Sequence, residues 1–196
     1  VKYRSLTRTT PPVVEPVSVS DAKAHLRVDG DEDNFYIASL ISAAREWVEA
    51  YLDRTLLKTQ WTLKMDRFPI GDIELPRPPM LPLSVSLTFT SESGAVSVLA
   101  SNLYRVDSAS TPGVVRPLRE ADWPAYMDDA NAITITFWAG YGEDGRSVPP
   151  AIKHAILMLV GFWFENRSAV LVGSISKQLE FAVDSLLSSQ KWGGYA

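Results

Sequence analysis

The feature that most restricts the fold is a double change of hydrophobic period along the chain. Between 31 and 54, Ile37, Leu40, Ile41, Ala44, Trp47, Val48, Tyr51 and Leu52 recur at steps of three and four. That spacing belongs to one face of an α-helix. After Arg54 the step becomes two: Trp61, Leu63 and Met65 alternate with Thr62, Lys64 and Asp66, as on a strand with one buried face. Val85, Leu87 and Phe89 repeat the alternation, and so do Ile133, Ile135 and Phe137. Shorter strands are expected at 72–75, 95–99, 103–107 and 114–116, parted by Gly94 and Pro112-Gly113. From Pro149-Pro150 the helical period returns, with Ile152, Ile156, Leu159, Val160 and Trp163 on one stripe and Leu157, Met158 and Phe162 filling much of the rest. A helix apolar nearly all round is buried in a core or in a subunit interface. Helical character resumes at about 176–188 through Leu179, Val183, Leu186 and Leu187. Helix, then strand, then helix implies an α+β fold: a small helical bundle interrupted by an antiparallel β-sheet or sandwich insertion.

The expected organisation follows from these switches. Residues 1–17, with three prolines and several threonines, read as an extended N-terminal arm. Segments 18–56 and 141–187 form a helical body, 57–140 a β-rich insertion, and 188–196 a flexible C-terminal tail. Ser18 with Asp21 fits a helix-capping pattern, and Gly30 is expected to end that first helix. The run Asp31-Glu32-Asp33 suits the positive end of the next one. Prolines 69, 76, 78, 79 and 82 keep their connection out of any central strand.

Composition narrows the function. With 196 residues and no cysteine, the chain needs no cross-link to hold a core. It also has no thiol nucleophile, zinc finger or iron–sulfur site. Nineteen basic against 23 acidic residues leave a net charge of −4, against what a free-standing nucleic-acid binder uses to neutralise phosphates. Segment 18–56 holds eight acidic and four basic residues. The longest apolar run, Ala155–Phe164, is ten residues, half of the roughly 20 that span a bilayer. Pro11 and Pro12 stand where a signal peptide needs an apolar run. A soluble protein made in a reducing compartment, with no membrane partner, is expected.

The motifs that suggest chemistry have plainer readings. Gly140-Tyr141-Gly142-Glu143-Asp144-Gly145 spells a dinucleotide-binding string. The helix nevertheless begins only at Pro149-Pro150, and two acids would face the phosphates. Asp29-Gly30-Asp31-Glu32-Asp33-Asn34 resembles a calcium loop, but the positions that need Gly and Glu hold Asn34 and Leu40. S-x-x-K occurs at Ser20 and Ser174 without companion motifs. His25 and His154 lie on separate expected helices with no ligand pattern. No catalytic residue, metal or cofactor is assigned, and the chain is not read as an enzyme. What remains is surface. Trp123 and Trp138 offer an alternative reading, a carbohydrate- or ligand-binding β module with helical flanks. Trp192 and Tyr195, beside Gly193-Gly194, have no core of their own.

An ordered series of segments carries a family resemblance. It starts with Pro16-Val17-Ser18-Val19-Ser20-Asp21-Ala22-Lys23-Ala24-His25-Leu26-Arg27-Val28-Asp29 and continues through Ile41-Ser42-Ala43-Ala44-Arg45-Glu46-Trp47-Val48-Glu49-Ala50-Tyr51. Trp61 to Pro69, Ile73 to Pro79, Phe137 to Gly142, Val148 to Ile156 and Trp163 to Arg167 complete it. Over roughly 16–190 the chain resembles the phage head–tail connector proteins of the gp6-like family, which include gene transfer agent adaptors. The β-rich block is a departure from the short, mostly helical members. The resemblance implies a structural virion protein: a homo-oligomeric, dodecameric adaptor ring under the portal protein, assembled in the bacterial cytoplasm. Such a ring extends the DNA channel, lets DNA pass without specific binding, and docks a downstream stopper or tail-completion protein. Within that frame Lys191, Trp192 and Tyr195 are expected to dock the portal. Trp47, Tyr51, Phe162 and Trp163 are expected to join subunits, and Lys2, Arg4 and Arg8 to make arm contacts.

Overall fold

The computed structural model describes residues 3–82, 85–118, 122–167 and 177–191. The chain divides into two compact units, one built from 1–12 and 58–141 and the other from 13–57 and 142–196.

The first unit is all β, with strands β1 (Ser5–Thr10), β2 (Thr59–Met65), β3 (Ile73–Leu75), β4 (Ser86–Thr90), β5 (Val96–Val98), β6 (Tyr104–Asp107), β7 (Gly113–Pro117) and β8 (Ile133–Ala139). Five form an antiparallel sheet in the order β1-β2-β8-β4-β5, and three form a second in the order β3-β7-β6. Period-two alternation sends Trp61, Leu63, Met65, Leu87, Ile133, Ile135 and Phe137 into one core with Ile73, Leu75, Tyr104 and Val115 of the smaller sheet. The Tyr104 hydroxyl donates to the Val85 carbonyl at 2.7 Å, satisfying the polar end of a buried ring. The other face of the large sheet is rich in hydroxyls, with Thr7, Thr62, Thr136 and Ser86 aligned across four strands.

The N-terminal stretch corrects the expectation of a free arm. Ser5–Thr10 is extended, but as the edge strand beside β2, with Thr9 and Thr62 hydroxyls 2.5 Å apart and Thr10 donating to Gln60 at 3.1 Å. Pairing with β2 satisfies backbone groups that would otherwise be an open edge. Farther on, Pro16 and Val17 are buried in the second unit.

That second unit is helical: α1 (Val19–Leu26), α2 (Asn34–Leu52), α3 (Pro150–Glu165) and α4 (Lys177–Leu187), with a 3-10 turn at Gly145–Ser147 and another at Ser188–Gln190. A full capping box between Ser18 and Asp21 starts α1. Its end differs from expectation. Arg27 takes the left-handed conformation (φ 57°) and returns its N–H to the last turn, so α1 stops before Gly30. Asp53 ends α2 the same way (φ 52°). Of the three acids before α2, Asp31 bonds Lys23 at 2.7 Å and Asn34 at 3.0 Å, while Asp33 pairs with Arg167 at 3.0 Å. α2 packs on α3, α1 on both, and α4 on α3. The buried stripe of α2 is Ile37, Leu40, Ile41, Ala44, Val48 and Leu52, facing Ile152, Ala155, Ile156, Leu159, Val160 and Trp163 of α3.

Candidate functional site

The richest surface of the helical unit forms where the end of α2 meets α4. Helical spacing puts Trp47 and Tyr51 one turn apart on a flank of the buried stripe. Their rings stack with centroids 5.2 Å apart and planes within 8°. Tyr51 donates its hydroxyl to the Asp184 carboxylate of α4. That hydrogen bond, with burial and the charges of Asp184 and Glu180, pushes the phenol up to about 12. The Lys191 ammonium lies 4.7 Å from the Tyr51 ring, a cation–π contact. Arg54 Nε donates to the Gln190 carbonyl at 2.6 Å. The expected flexible tail therefore does not begin at 188, because 188–191 is tied to α2. The geometry also joins two sets expected to be separate: Lys191 of the portal-docking set covers Tyr51 of the subunit-contact set.

Behind this surface sits a buried ion network that the hydrophobic pattern did not reveal. Arg45 donates from Nε to Glu15 at 2.8 Å and from Nη1 to Glu49 at 3.0 Å. Glu15 also accepts from Ser42, and Glu49 from the Leu56 N–H at 2.9 Å. Burial pulls the guanidinium pKa down, yet the Glu15 hydrogen bond and the charges of Glu15, Glu49 and Glu46 outweigh it and leave it above its ordinary value. The network pins the segment before α1 and the turn after α2 onto α2 itself.

The remaining expected residues divide clearly. Trp163, expected at a subunit contact, is only 3% exposed and belongs to the core. It has no side-chain surface to give a neighbour. Phe162 is half-buried on α3. Arg4 pairs with Asp66 at 2.8 Å, and Arg8 lies 5.5 Å from the Trp61 ring, both within the β unit. Lys2, Trp192 and Tyr195 lie outside the described residues. Two exposed aromatics on the described helices were not singled out by the sequence: Phe35 is 90% and Phe181 76% exposed. Each stands two residues before a buried stripe member, Ile37 and Val183. Two steps of 100° place such a residue on the opposite side of its helix, which is the signal that would have found them.

Trp123 and Trp138 do not make one platform. Trp123 stacks on Phe68 (4.7 Å, 8°), donates to the Gly71 carbonyl at 3.1 Å and packs against the β core. Trp138 alternates with the buried Phe137 and Ala139, so it faces the other side of its sheet, with Lys58 5.2 Å from its ring. The glycine string is structural. Gly140 has φ 128°, and a Cβ on Gly145 would lie 2.5 Å from the Pro16 carbonyl oxygen. The two histidine rings meet edge to face at 6.3 Å across α1 and α3. Among the described residues no group of three or more His, Cys, Asp or Glu is placed to hold a metal. No described helix is long and apolar enough to cross a membrane.

Comparison with known proteins bears on this arrangement. Residues 16–82 match the model of the phage gp6-like head-tail connector protein family. This segment takes in α1, α2, β2 and β3, so the connector match reaches into both units. No curated relative matches the chain in sequence. Among solved structures, the fold is similar to a chain in the neck of an empty gene transfer agent (GTA) particle computed with C6 symmetry. The TM-score is 0.77 at 19% identity, covering 95% of each chain. A chain of the virion of the native GTA particle aligns with TM-score 0.72 at 21% identity, covering 95% of this chain and 94% of that one. A chain of the native GTA neck computed with C12 symmetry aligns with TM-score 0.69 at 21% identity and the same coverage. At these identities the likeness is one of fold, and it extends over both units.

Proposed function

We propose that this chain is a structural head–tail connector, the adaptor that forms a ring in the neck of a tailed phage or gene transfer agent particle. The observation that carries this reading is the likeness in fold to a neck chain over 95% of this chain, together with the match of 16–82 to the connector family model. The twelve-fold symmetry of a similar neck supports a ring of twelve copies. On this reading the portal protein lies on one side of the ring and a stopper or tail-completion protein on the other. The ring extends the DNA channel. The eight acidic and four basic residues of 18–56 suit a wall along which DNA slides without being gripped. The work is done by surfaces, with no catalytic step, and assembly takes place in the bacterial cytoplasm. On this reading Lys191, Trp192 and Tyr195 dock the portal, and Trp47, Tyr51 and Phe162 join neighbouring subunits.

The test is electron microscopy of the purified chain mixed with the portal of the same particle. A ring of copies seated on one end of the portal is the expected image. A chain that stays monomeric and leaves the portal undecorated at every concentration defeats the proposal.

A further inference from the structure

The large sheet ends in two edges that are guarded very differently. Bulges, charges and prolines are the devices that stop an edge from pairing with another chain. At β1 the register shifts between Arg8 and Thr10, Arg8 lies within the strand, and Pro11-Pro12 follow it. At β5 none of these is present: Ser93 to Tyr104 holds no charge and no proline, and the pairing with β4 runs without a shift. The ladder tells which backbone groups of β5 stand free. Leu99 donates to the Leu87 carbonyl and Ala95 accepts from the Ser91 N–H, both at 2.8 Å. An antiparallel ladder alternates, so Ala95, Ser97 and Leu99 turn their backbone groups to β4, while Val96 and Val98 turn theirs outward. Among the described residues β5 has no neighbouring strand on that side. The two valine side chains lie opposite Thr90 and Thr88, on the face away from Leu87 and Phe89, and are 76% and 71% exposed.

We infer that β5 is a self-pairing edge: two copies of the free chain join across a two-fold axis at Ser97, with Val96 of each opposite Val98 of the other. In this register every outward valine donates one backbone hydrogen bond and accepts one. The valine side chains of both copies then meet on one face, as β-branched cross-strand pairs. A second copy of β5 is the occupant because it presents the same free groups and the same apolar pair, whereas β1 of a neighbour is bulged and charged. The strand has three residues, so the contact buries well under the roughly 1,200 Å² of a stable interface. It is a reversible dimer, half formed at a chain concentration on the order of 100 μM. Copies that all point one way around a ring have no two-fold between neighbours. The pair therefore belongs to the unassembled chain, where it covers an aggregation-prone edge, and it does not depend on the ring reading.

Sedimentation velocity over about 1–500 μM chain is expected to show a monomer giving way to a dimer. Val98→Pro removes an outward N–H and leaves the bonds to β4 intact. By symmetry it takes a donor from each copy, so dimerisation should weaken about tenfold. The chain has no cysteine, and Ser97→Cys puts one on the axis, at a non-hydrogen-bonded pair whose Cα atoms are about 4.5 Å apart and within disulfide reach. Mild oxidation should cross-link this variant to itself, and adding Val98→Pro should lower the yield. Ser93→Cys, in the turn before β5, is the control, and far-UV circular dichroism checks that each variant is folded. A chain monomeric at every concentration, with Ser97→Cys cross-linking no better than Ser93→Cys, overturns the inference. So does a dimer that Val98→Pro leaves unchanged, since another surface then holds it. Species growing beyond the dimer and lost with Val98→Pro mean that β5 meets a different edge, and overturn the two-fold pairing as well. None of these results touches the ring reading, which stands or falls on the portal experiment.

Discussion

Arg45 sits where the hydrophobic stripe of α2 would lead one to expect another apolar residue, and it is held by Glu15 and Glu49. A buried charge of this kind is costly once a partner is lost, because the remaining charges keep their desolvation penalty. Arg45→Met is therefore expected to destabilise the helical unit by about 3 kcal/mol in urea unfolding. Glu49→Gln, which keeps an acceptor for the Leu56 N–H, should cost less. Tyr51 gives a second residue-scale test. Its folded pKa is raised from 10.0 to about 12, so the stability it contributes is complete below pH 10 and is lost as pH climbs toward 12. Asp184→Asn should bring the phenol back toward 10.0, seen as an earlier phenolate step in an absorbance titration. Neither residue's role was legible in the sequence. The stripe identified Tyr51 as interfacial, but Asp184 and Glu15 come to their partners only through the packing of distant segments. Trp163 failed in the opposite sense: its place on the stripe was right, and the stripe is wholly core.

Elements were more legible, because a period of two or 3.6 is written locally. Among the described residues, the strands from β2 to β8 and helices α1 to α4 stand within a few residues of where the alternation or stripe puts them. The exception is β1. Ser5-Leu6-Thr7-Arg8-Thr9-Thr10 has one aliphatic residue, so its strand character comes from β2 and not from its own pattern. Truncating residues 1–10 should uncover the β2 edge, lower the melting temperature by about 4–8 °C and raise light scattering on heating. The end of α1 was also misplaced, since Gly30 was the obvious terminator and Arg27 performs the task instead. Glycines elsewhere in the helical unit give opposed forecasts. A Cβ on Gly161 would meet only ordinary contacts, the nearest at 3.6 Å from His25. Gly161→Ala should therefore stabilise α3 by about 0.5–1 kcal/mol. Gly145→Ala would drive a methyl to 2.5 Å from the Pro16 carbonyl and should destabilise the unit. Thermal melts of the two variants should move in opposite directions.

For the whole molecule, the order of weak motifs along the chain said more than any one of them, since each short string recurs by chance and their sequence does not. That order pointed to the connector family, while exposed side chains off the buried stripes, Phe35 and Phe181 among them, stayed out of reach. Removing 192–196, which spares Lys191 and the Arg54–Gln190 bond, should leave the fold unchanged by circular dichroism and abolish capture by the portal; undiminished capture removes Trp192 and Tyr195 from the docking set. One arrangement also bears on how the protein is made. The β unit takes its edge strand from before the first helices and everything else from after them. Thr10 and its partner Gln60 are 50 residues apart. At about 5–20 residues per second on the ribosome, β1 emerges some seconds before the strand it will pair with. For that interval it must stay soluble alone. A segment of threonines with Arg4 and Arg8 and a single leucine can wait in water without aggregating, where a conventional apolar strand would be a hazard to the nascent chain.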